Sequence, residues 1–473
     1  MRALPLIALL ALAGCGGTAP AAAPPATSTL QATLVDRDGD GFLERGGPGE
    51  PLRDRGTPAR PGRTLAVFGQ LTDTHVRDEE SPARVPFLDR LGAPLNSTFR
   101  PQEALSAQVL DAAVRGLARE RPEAVVVTGD IVDSAQENEL ETAIGVLEGG
   151  VVRPDSGARG YDGVQAAGNP DPFYFRPDND APRHPGALAA AQREFRAAGL
   201  GVPWYPAIGN HDVFVQGEVP ATGAIEELAT GSRLITGLDP GFQPSLDEEN
   251  AASIVDSLLT YGDAYGRSEP VAADAARRHP DADEVVARLA GAAGVRTATG
   301  GRLDYAFDLG PEGRGIVLDT VDRGGGSRGR VGAAQVTWLR REVARAGGRW
   351  VVVFAHNPLE SADGGEAALA VLDAAPRVVA VVAGNRHHNT IEPRGHLWLV
   401  GTSSLADFPQ QGRMFRLREA GDGVALETWM VDHDGRGLAG IARELAYLDA
   451  QGGRPQGLAG RPEDRNARLF VAG

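Results

Sequence analysis

The 473-residue sequence predicts an α/β fold, and three observations carry that prediction: five short apolar runs of strand length, a polar motif at the end of each run, and a helix-periodic segment joining the first two. The runs are residues 65–71 (LAVFGQL), 124–128 (AVVVT), 202–208 (VPWYPAI), 350–355 (WVVVFA) and 378–383 (VVAVVA). Periodicity alone does not separate a buried strand from a helix fragment; shortness and valine content favour strand here. Residues 101–121 place Leu105, Val109, Ala113 and Leu117 at four-residue steps behind Pro101, which predicts the crossover helix of a βαβ unit. Further patterns predict helices near 250–259 and 281–289 and a late strand over 425–431.

The motifs that end the runs carry the chemistry. In chain order they are Asp73-Thr74-His75, Gly129-Asp130-Ile131-Val132-Asp133, Gly209-Asn210-His211-Asp212, His356-Asn357-Pro358 and Gly384-Asn385-Arg386-His387. Open α/β sheets bind ligands beyond the carboxyl ends of their strands, so five polar clusters at five strand ends are expected to converge on one site. A dinuclear metal site needs a carboxylate able to bridge, hard oxygen donors, and imidazoles suited to Zn, Fe or Mn. Asp130, after a glycine, is the natural bridge. Asp73 and His75 stand two apart on an extended segment, so both side chains share a face. Four polar residues after a buried run, as in the Gly-Asn-His-Asp string, are costly unless something satisfies them.

With Tyr305-Ala306-Phe307-Asp308, Ile316-Val317-Leu318-Asp319-Thr320 and Gln335-Val336-Thr337-Trp338-Leu339, these motifs make the chain resemble the calcineurin-like metallophosphoesterases from about residue 65 to about residue 432. The resemblance implies a four-layer α/β/β/α sandwich. It implies a phosphomonoesterase or phosphodiesterase with two divalent or trivalent metal ions (Mn, Fe or Zn), whose metal-bound hydroxide attacks phosphorus in line. Carried over residue by residue, Asp73, His75, Asp130 and His387 resemble the ligands of the first metal, and Asp130, Asn210 and His356 those of the second. His211 resembles the histidine that assists the leaving group, with Asp212 as its orienting partner. The family's Gly-His-x-His motif reads Gly-Asn-Arg-His here, so Asn385 replaces an imidazole at the second metal. An amide oxygen is a harder and weaker donor than imidazole. Two readings follow: Asn385 ligates a harder ion such as Mn²⁺, or it packs and water takes the place. The second opens an alternative function, a metal- and phosphate-binding surface lipoprotein with little or no turnover.

Composition removes several competitors. All 47 basic residues are arginine, which excludes a P-loop, a Schiff-base lysine and a serine–lysine hydrolase. The single cysteine, Cys15, excludes thiol catalysis, internal disulfides and cysteine zinc sites in the domain. The stretch 324–329 (GGGSRG) reads as a flexible loop. A net charge of −16 disfavours nucleic acid and leaves a small-molecule or lipid-linked phosphoester as the expected substrate.

The first residues suggest an address. An arginine, a short apolar stretch and Leu12-Ala13-Gly14-Cys15 resemble a bacterial lipobox. Lipidation of Cys15 would anchor the protein to the membrane on the extracytoplasmic side of a bacterial cell envelope; an ordinary secretory signal is the alternative. The expected organisation is a signal peptide over 1–14, an Ala/Pro-rich linker over 15–30, an N-terminal segment over 31–62, a catalytic domain over 63–435 and a C-terminal extension over 436–473. Insertions near 149–199 and 213–299 are expected over the mouth of the site, where they would set substrate choice. Within 31–62, Asp36, Asp38, Asp40 and Glu44 alternate as in a calcium loop, although position twelve is Gly47; a calcium-binding turn and a plain Asp/Gly loop both fit.

Overall fold

The computed structural model describes residues 27–473 apart from 41, 93–96, 240, 242–244, 246, 248, 249, 263–265, 298–300 and 452–456. The expected signal peptide, Cys15 and most of the linker therefore lie outside the described residues.

A hairpin of β1 (Ala32–Val35) and β2 (Glu44–Pro48) precedes β3 (Arg53–Arg55) and the long β4 (Pro61–Leu71). Helix α1 (Ser106–Arg119) crosses over to β5 (Ala124–Thr128), and α2 (Glu137–Glu148) follows. The first insertion contains β6 (Gly150–Val152), α3 (Ala187–Ala191) and β7 (Phe195–Ala197), and it leads to β8 (Trp204–Ala207). The second contains α4 (Gly223–Ala229), β9 (Arg233–Leu238), α5 (Ala251–Tyr261), β10 (Gly266–Pro270) and α6 (Ala282–Ala293). After the hairpin of β11 (Tyr305–Leu309) and β12 (Gly313–Leu318), the chain alternates through α7 (Ala333–Arg345), β13 (Trp350–Ala355), α8 (Gly365–Asp373) and β14 (Val378–Ala383). It then runs through β15 (Thr390–Arg394), β16 (Leu397–Gly401), β17 (Gln411–Ala420), β18 (Gly423–Asp432), α9 (Leu438–Gln451), α10 (Pro462–Arg465) and β19 (Ala467–Val471).

Two sheets result, one in the order β3-β19-β18-β17-β4-β5-β8 and one in the order β11-β12-β13-β14-β16-β15. The alternation along β13 shows why they stack. Val352 and Phe354 enter the core shared by the sheets, whereas Val351, Val353 and Ala355 enter the core that holds Trp338 and Leu339 of α7 and Leu369 and Leu372 of α8. A strand apolar on both faces has to be covered twice, which is why its sequence is unbroken hydrophobic. Across the shared core Phe68 of β4 meets Phe354 edge-on at 5.8 Å and stacks on Phe415 of β17 at 4.9 Å. On the far side of the first sheet α1 packs on β17 and β18, beside α2 and α9. The architecture is the expected α/β/β/α sandwich.

All five apolar runs are strands, and the crossover segment is α1 behind a short 3-10 turn. The structure corrects the expected domain limits of 63–435. Parallel pairing of β3 with β19, and antiparallel pairing of β19 with β18, builds both ends of the chain into the first sheet. An edge strand of three residues and its five-residue neighbour, both of mixed polarity, carry too little pattern to be seen in the sequence. The two insertions differ in their relation to the site. Val285 and Leu289 of α6 are part of the main core and no residue of 149–199 lines the central cavity, whereas Glu218 of the second insertion does.

Candidate metal centre

Strands β4, β5 and β8 run parallel, as do β13 and β14, so the motifs leave all five at the same edge of the sandwich. The turns that follow are tight. Asp73, His75, Asp130, Asn385 and His387 have positive φ angles of 50°, 42°, 48°, 63° and 54°. Non-glycine residues enter that region at a cost of about 1–3 kcal/mol each and persist there only when the surroundings over-determine them. Two glycines make the approach feasible. A Cβ on Gly209 would stand 2.1 Å from Asp130 Oδ1, and one on Gly384 would stand 2.5 Å from Asp73 Oδ2.

The side chains meet in three overlapping groups whose ligand atoms lie within 4.8 Å of one another: Asp73, His75 and His387; His75, Asp130 and His211; and Asp73, Asp130 and His356. Asp73, His75 and Asp130 each belong to two of them, and Asp130 Oδ2 stands 3.9 Å from His75 Nε2 and 3.1 Å from His356 Nε2, between the two expected ligand sets. Asn210 joins through its Oδ1, 3.2 Å from His356 Nε2, because its Nδ2 donates to the Gly217 carbonyl at 3.0 Å and so turns the oxygen inward.

Each imidazole is held from behind. His75 Nδ1 donates to Asp133 Oδ1 at 3.0 Å, His387 Nδ1 to Asp407 Oδ2 at 2.5 Å, and His356 Nδ1 to the Thr128 carbonyl at 2.8 Å. These bonds commit the Nδ1 protons and aim each Nε2 into the cluster, where His75 Nε2 and His387 Nε2 stand 3.3 Å apart and His387 Nε2 lies 3.3 Å from Asp73 Oδ1. Facing lone pairs beside a buried carboxylate call for positive charge between them. The buried carboxylates create a field that draws positive charge: against burial, Asp73 and Asp407 raise His387 to about 10, and Asp130 raises His356 to about 9, so a proton is held where a cation would otherwise bind. Burial and the neighbouring His211 instead lower His75 to about 4, keeping it a neutral donor. Oxygen and imidazole donors of this kind fit a first-row transition metal.

The sequence matches the family described as calcineurin-like phosphoesterase over residues 66–389. This chain belongs to the calcineurin-like phosphoesterase family. Membership supports, at a general level, a metal-dependent hydrolase of phosphoesters. Among solved structures the phosphoesterase is similar to a dimetal phosphatase from Danio rerio, with 16% identity, a TM-score of 0.41 and coverage of 78% of this chain and 100% of that one. It is also similar to a purple acid phosphatase from yellow lupin, with 12% identity, a TM-score of 0.33 and coverage of 82% of this chain and 53% of that one. The comparison with curated proteins found no match.

Within the phosphoesterase, Asp73, His75, Asp130, Asn210, His211, His356 and His387 come together as the sequence predicts, and His387 rather than His388 reaches Asp73. Asn385 donates its backbone N–H to Asp73 Oδ1 at 3.0 Å, and the residue lines the cavity in front of the cluster. The role expected of Asp212 is corrected. Its carboxylate accepts the backbone N–H groups of Ile131 (2.7 Å), Val132 (3.0 Å) and Gly209 (2.8 Å), pinning the loop after β5 to the loop after β8. What orients His211 is the backbone carbonyl of Asp133, which accepts from His211 Nδ1 at 2.6 Å. Asp133 and Asp407 are the site residues that sequence reasoning left without a role. The only sequence signal for Asp133 was its place three residues after Asp130.

The cavity measures about 300 Å³ and is lined by His211, Glu218, Ser327, Asn385, Arg386 and Asp449, among others. Residues 325–329 (GGSRG) have the spacing of a serine-hydrolase nucleophile turn, but they lie in an irregular loop between β12 and α7, not at a strand-to-helix turn. At the N-terminus Asp36, Asp38 and Asp40 converge at the tip of the β1–β2 hairpin. Glu44 does not join them: it opens β2 opposite Val35, exposed and 3.8 Å from Arg37. A hairpin, not a helix pair, frames this loop, so the spacing expected of a calcium loop is not reproduced.

Proposed function

We propose that the protein hydrolyses small phosphoesters at this cluster with two metal ions. The observation that carries the reading is Asp130, buried with its Oδ2 between His75 Nε2 at 3.9 Å and His356 Nε2 at 3.1 Å, both imidazoles braced from behind. Asp73, His75, Asp130 and His387 would hold one ion and Asp130, Asn210 and His356 the other, with Asn385 at the rim of the second. When bound, such ions supply Lewis acidity, neutralising phosphate charge and acidifying a water molecule.

The chain's own residues do the rest. His211, fixed through Nδ1 by the Asp133 carbonyl, keeps its other ring nitrogen to hold a proton for the departing oxygen. Asp130 also accepts the His211 backbone N–H at 2.8 Å, which ties the acid's position to the proposed bridge. A cavity of about 300 Å³ suits a small ester better than a polymer, and the net charge of −16 works against nucleic acid at long range. Tethering by a lipid on Cys15 at the outer face of a membrane belongs to the same reading; a fatty-acid analogue should label the wild type and not Cys15→Ser.

Hydrolysis of para-nitrophenyl phosphate and bis-para-nitrophenyl phosphate with added Mn²⁺ tests the function. Turnover lost on chelation and restored by Mn²⁺ is expected. Metal binding without turnover on either ester would replace this reading with that of a phosphate-binding surface protein.

A further inference from the structure

The two aspartates that brace the histidines are themselves braced, and both braces end on one buried carboxylate. Asp133 Oδ1, which accepts from His75, also accepts from the Arg77 guanidinium. Asp407, which accepts from His387, is gripped by Arg100 through Nε at 2.5 Å and through its terminal nitrogen at 3.2 Å. Arg77 also donates to Glu103 Oε2, and the Arg100 backbone N–H donates to the same oxygen at 3.1 Å. The remaining oxygen, Glu103 Oε1, accepts from Arg84 at 3.0 Å. The path therefore runs His75, Asp133, Arg77, Glu103, Arg100, Asp407, His387, and it closes where the two Nε2 atoms stand 3.3 Å apart.

We propose that Glu103 is a positioning residue for the first metal ion: it locks the two arms together and so sets the separation of His75 and His387. This rests on the proposed metal centre. Three features support a role beyond packing. The carboxylates and guanidinium groups of the ring are all buried, including Glu103 at 4% exposure and Arg77 at 8%, so removing one partner leaves another unmatched in a medium of low polarity. The two arms come from distant parts of the chain, and the 3-10 turn holding Glu103 is where they meet. Asp133 also carries His211 on its backbone carbonyl, so the same brace sets the ion's ligand and the proton donor relative to each other.

The test is Mn²⁺ binding by calorimetry and the visible spectrum of the Co²⁺-loaded protein, for wild type, Glu103→Gln and Arg100→Lys, with the fold checked by circular dichroism. Outer partners of metal-ligating histidines typically contribute about 10–100-fold in metal affinity. Glu103→Gln is expected to lose affinity in that range and to shift the Co²⁺ spectrum while the fold is kept. Arg100→Lys, which preserves charge but not the two-pronged grip, should show the same loss to a smaller extent and serves if Glu103→Gln does not fold. Wild-type affinity and an unchanged spectrum in a folded variant would overturn the proposal and leave the metal centre standing. A wild-type protein that binds neither ion would overturn both.

Discussion

The hairpin tip and the sandwich edge both bring three metal-capable side chains within 4.8 Å of one another, yet only one of them is built as a site. At the tip, Asp38 and Asp40 are exposed, and the carboxylates accept backbone N–H groups of their own loop: Gly39 on Asp36, Asp40 on Asp38 and Phe42 on Asp40. Those bonds are ordinary turn chemistry and need no ion. At the sandwich edge, Asp73, His75, Asp130 and His356 are buried, the backbone is strained at five positions, and every imidazole is aimed by a partner behind it. Proximity alone does not distinguish a cation site from a solvated turn; burial, strain and bracing do.

That contrast breaks most readily at its centre. Asp130→Ala removes the shared carboxylate and should bring turnover of either nitrophenyl ester to background, with metal content reduced on elemental analysis; retained activity would mean that the bridge is misassigned. His211→Asn should lower kcat by about 10²–10⁴-fold, the usual share of a general acid, while metal content stays at the wild-type level. Loss of bound metal in that variant would make His211 a ligand. Asp407→Asn weakens the brace on His387 without removing a ligand, and Mn²⁺ affinity should fall about 10–100-fold; an unchanged titration curve would reduce Asp407 to packing. Asn385→His adds back an imidazole, so retention of zinc after dialysis should rise, and no gain would place Asn385 outside the coordination sphere. At the other end of the scale, Asp36→Asn with Asp38→Asn should leave activity unaltered and stability within about ±0.5 kcal/mol. A loss of activity there would dissolve the distinction between the two regions.

The sequence showed the scaffold and the ligands well, for a physical reason. A strand buried on both faces has to be a largely apolar run, and polar residues placed where such a run ends are conspicuous, so β4, β5, β8, β13 and β14 and the motifs after them could be read directly. What surrounds the ligands carries no such pattern. Asp407 lies in an irregular segment after β16 and is gripped by Arg100, 307 positions away, and Glu103 lies in a three-residue turn whose partners Arg77, Arg84 and Arg100 come from other loops and turns. Asp212 shows the converse failure: adjacency to His211 suggested a partnership, whereas the turn directs its carboxylate to the backbone of residues 131, 132 and 209. Strands β3 and β19 are hard to see in the sequence because three polar residues at the sheet edge and a five-residue strand broken by Arg468 offer no long apolar run.

Anomalous diffraction from crystals of the full chain grown with Mn²⁺ addresses the central claim most directly. One peak is expected among Asp73, His75, Asp130 and His387 and a second among Asp130, Asn210 and His356. Density confined to the Asp36–Asp40 hairpin tip, or none at the sandwich edge, would contradict it.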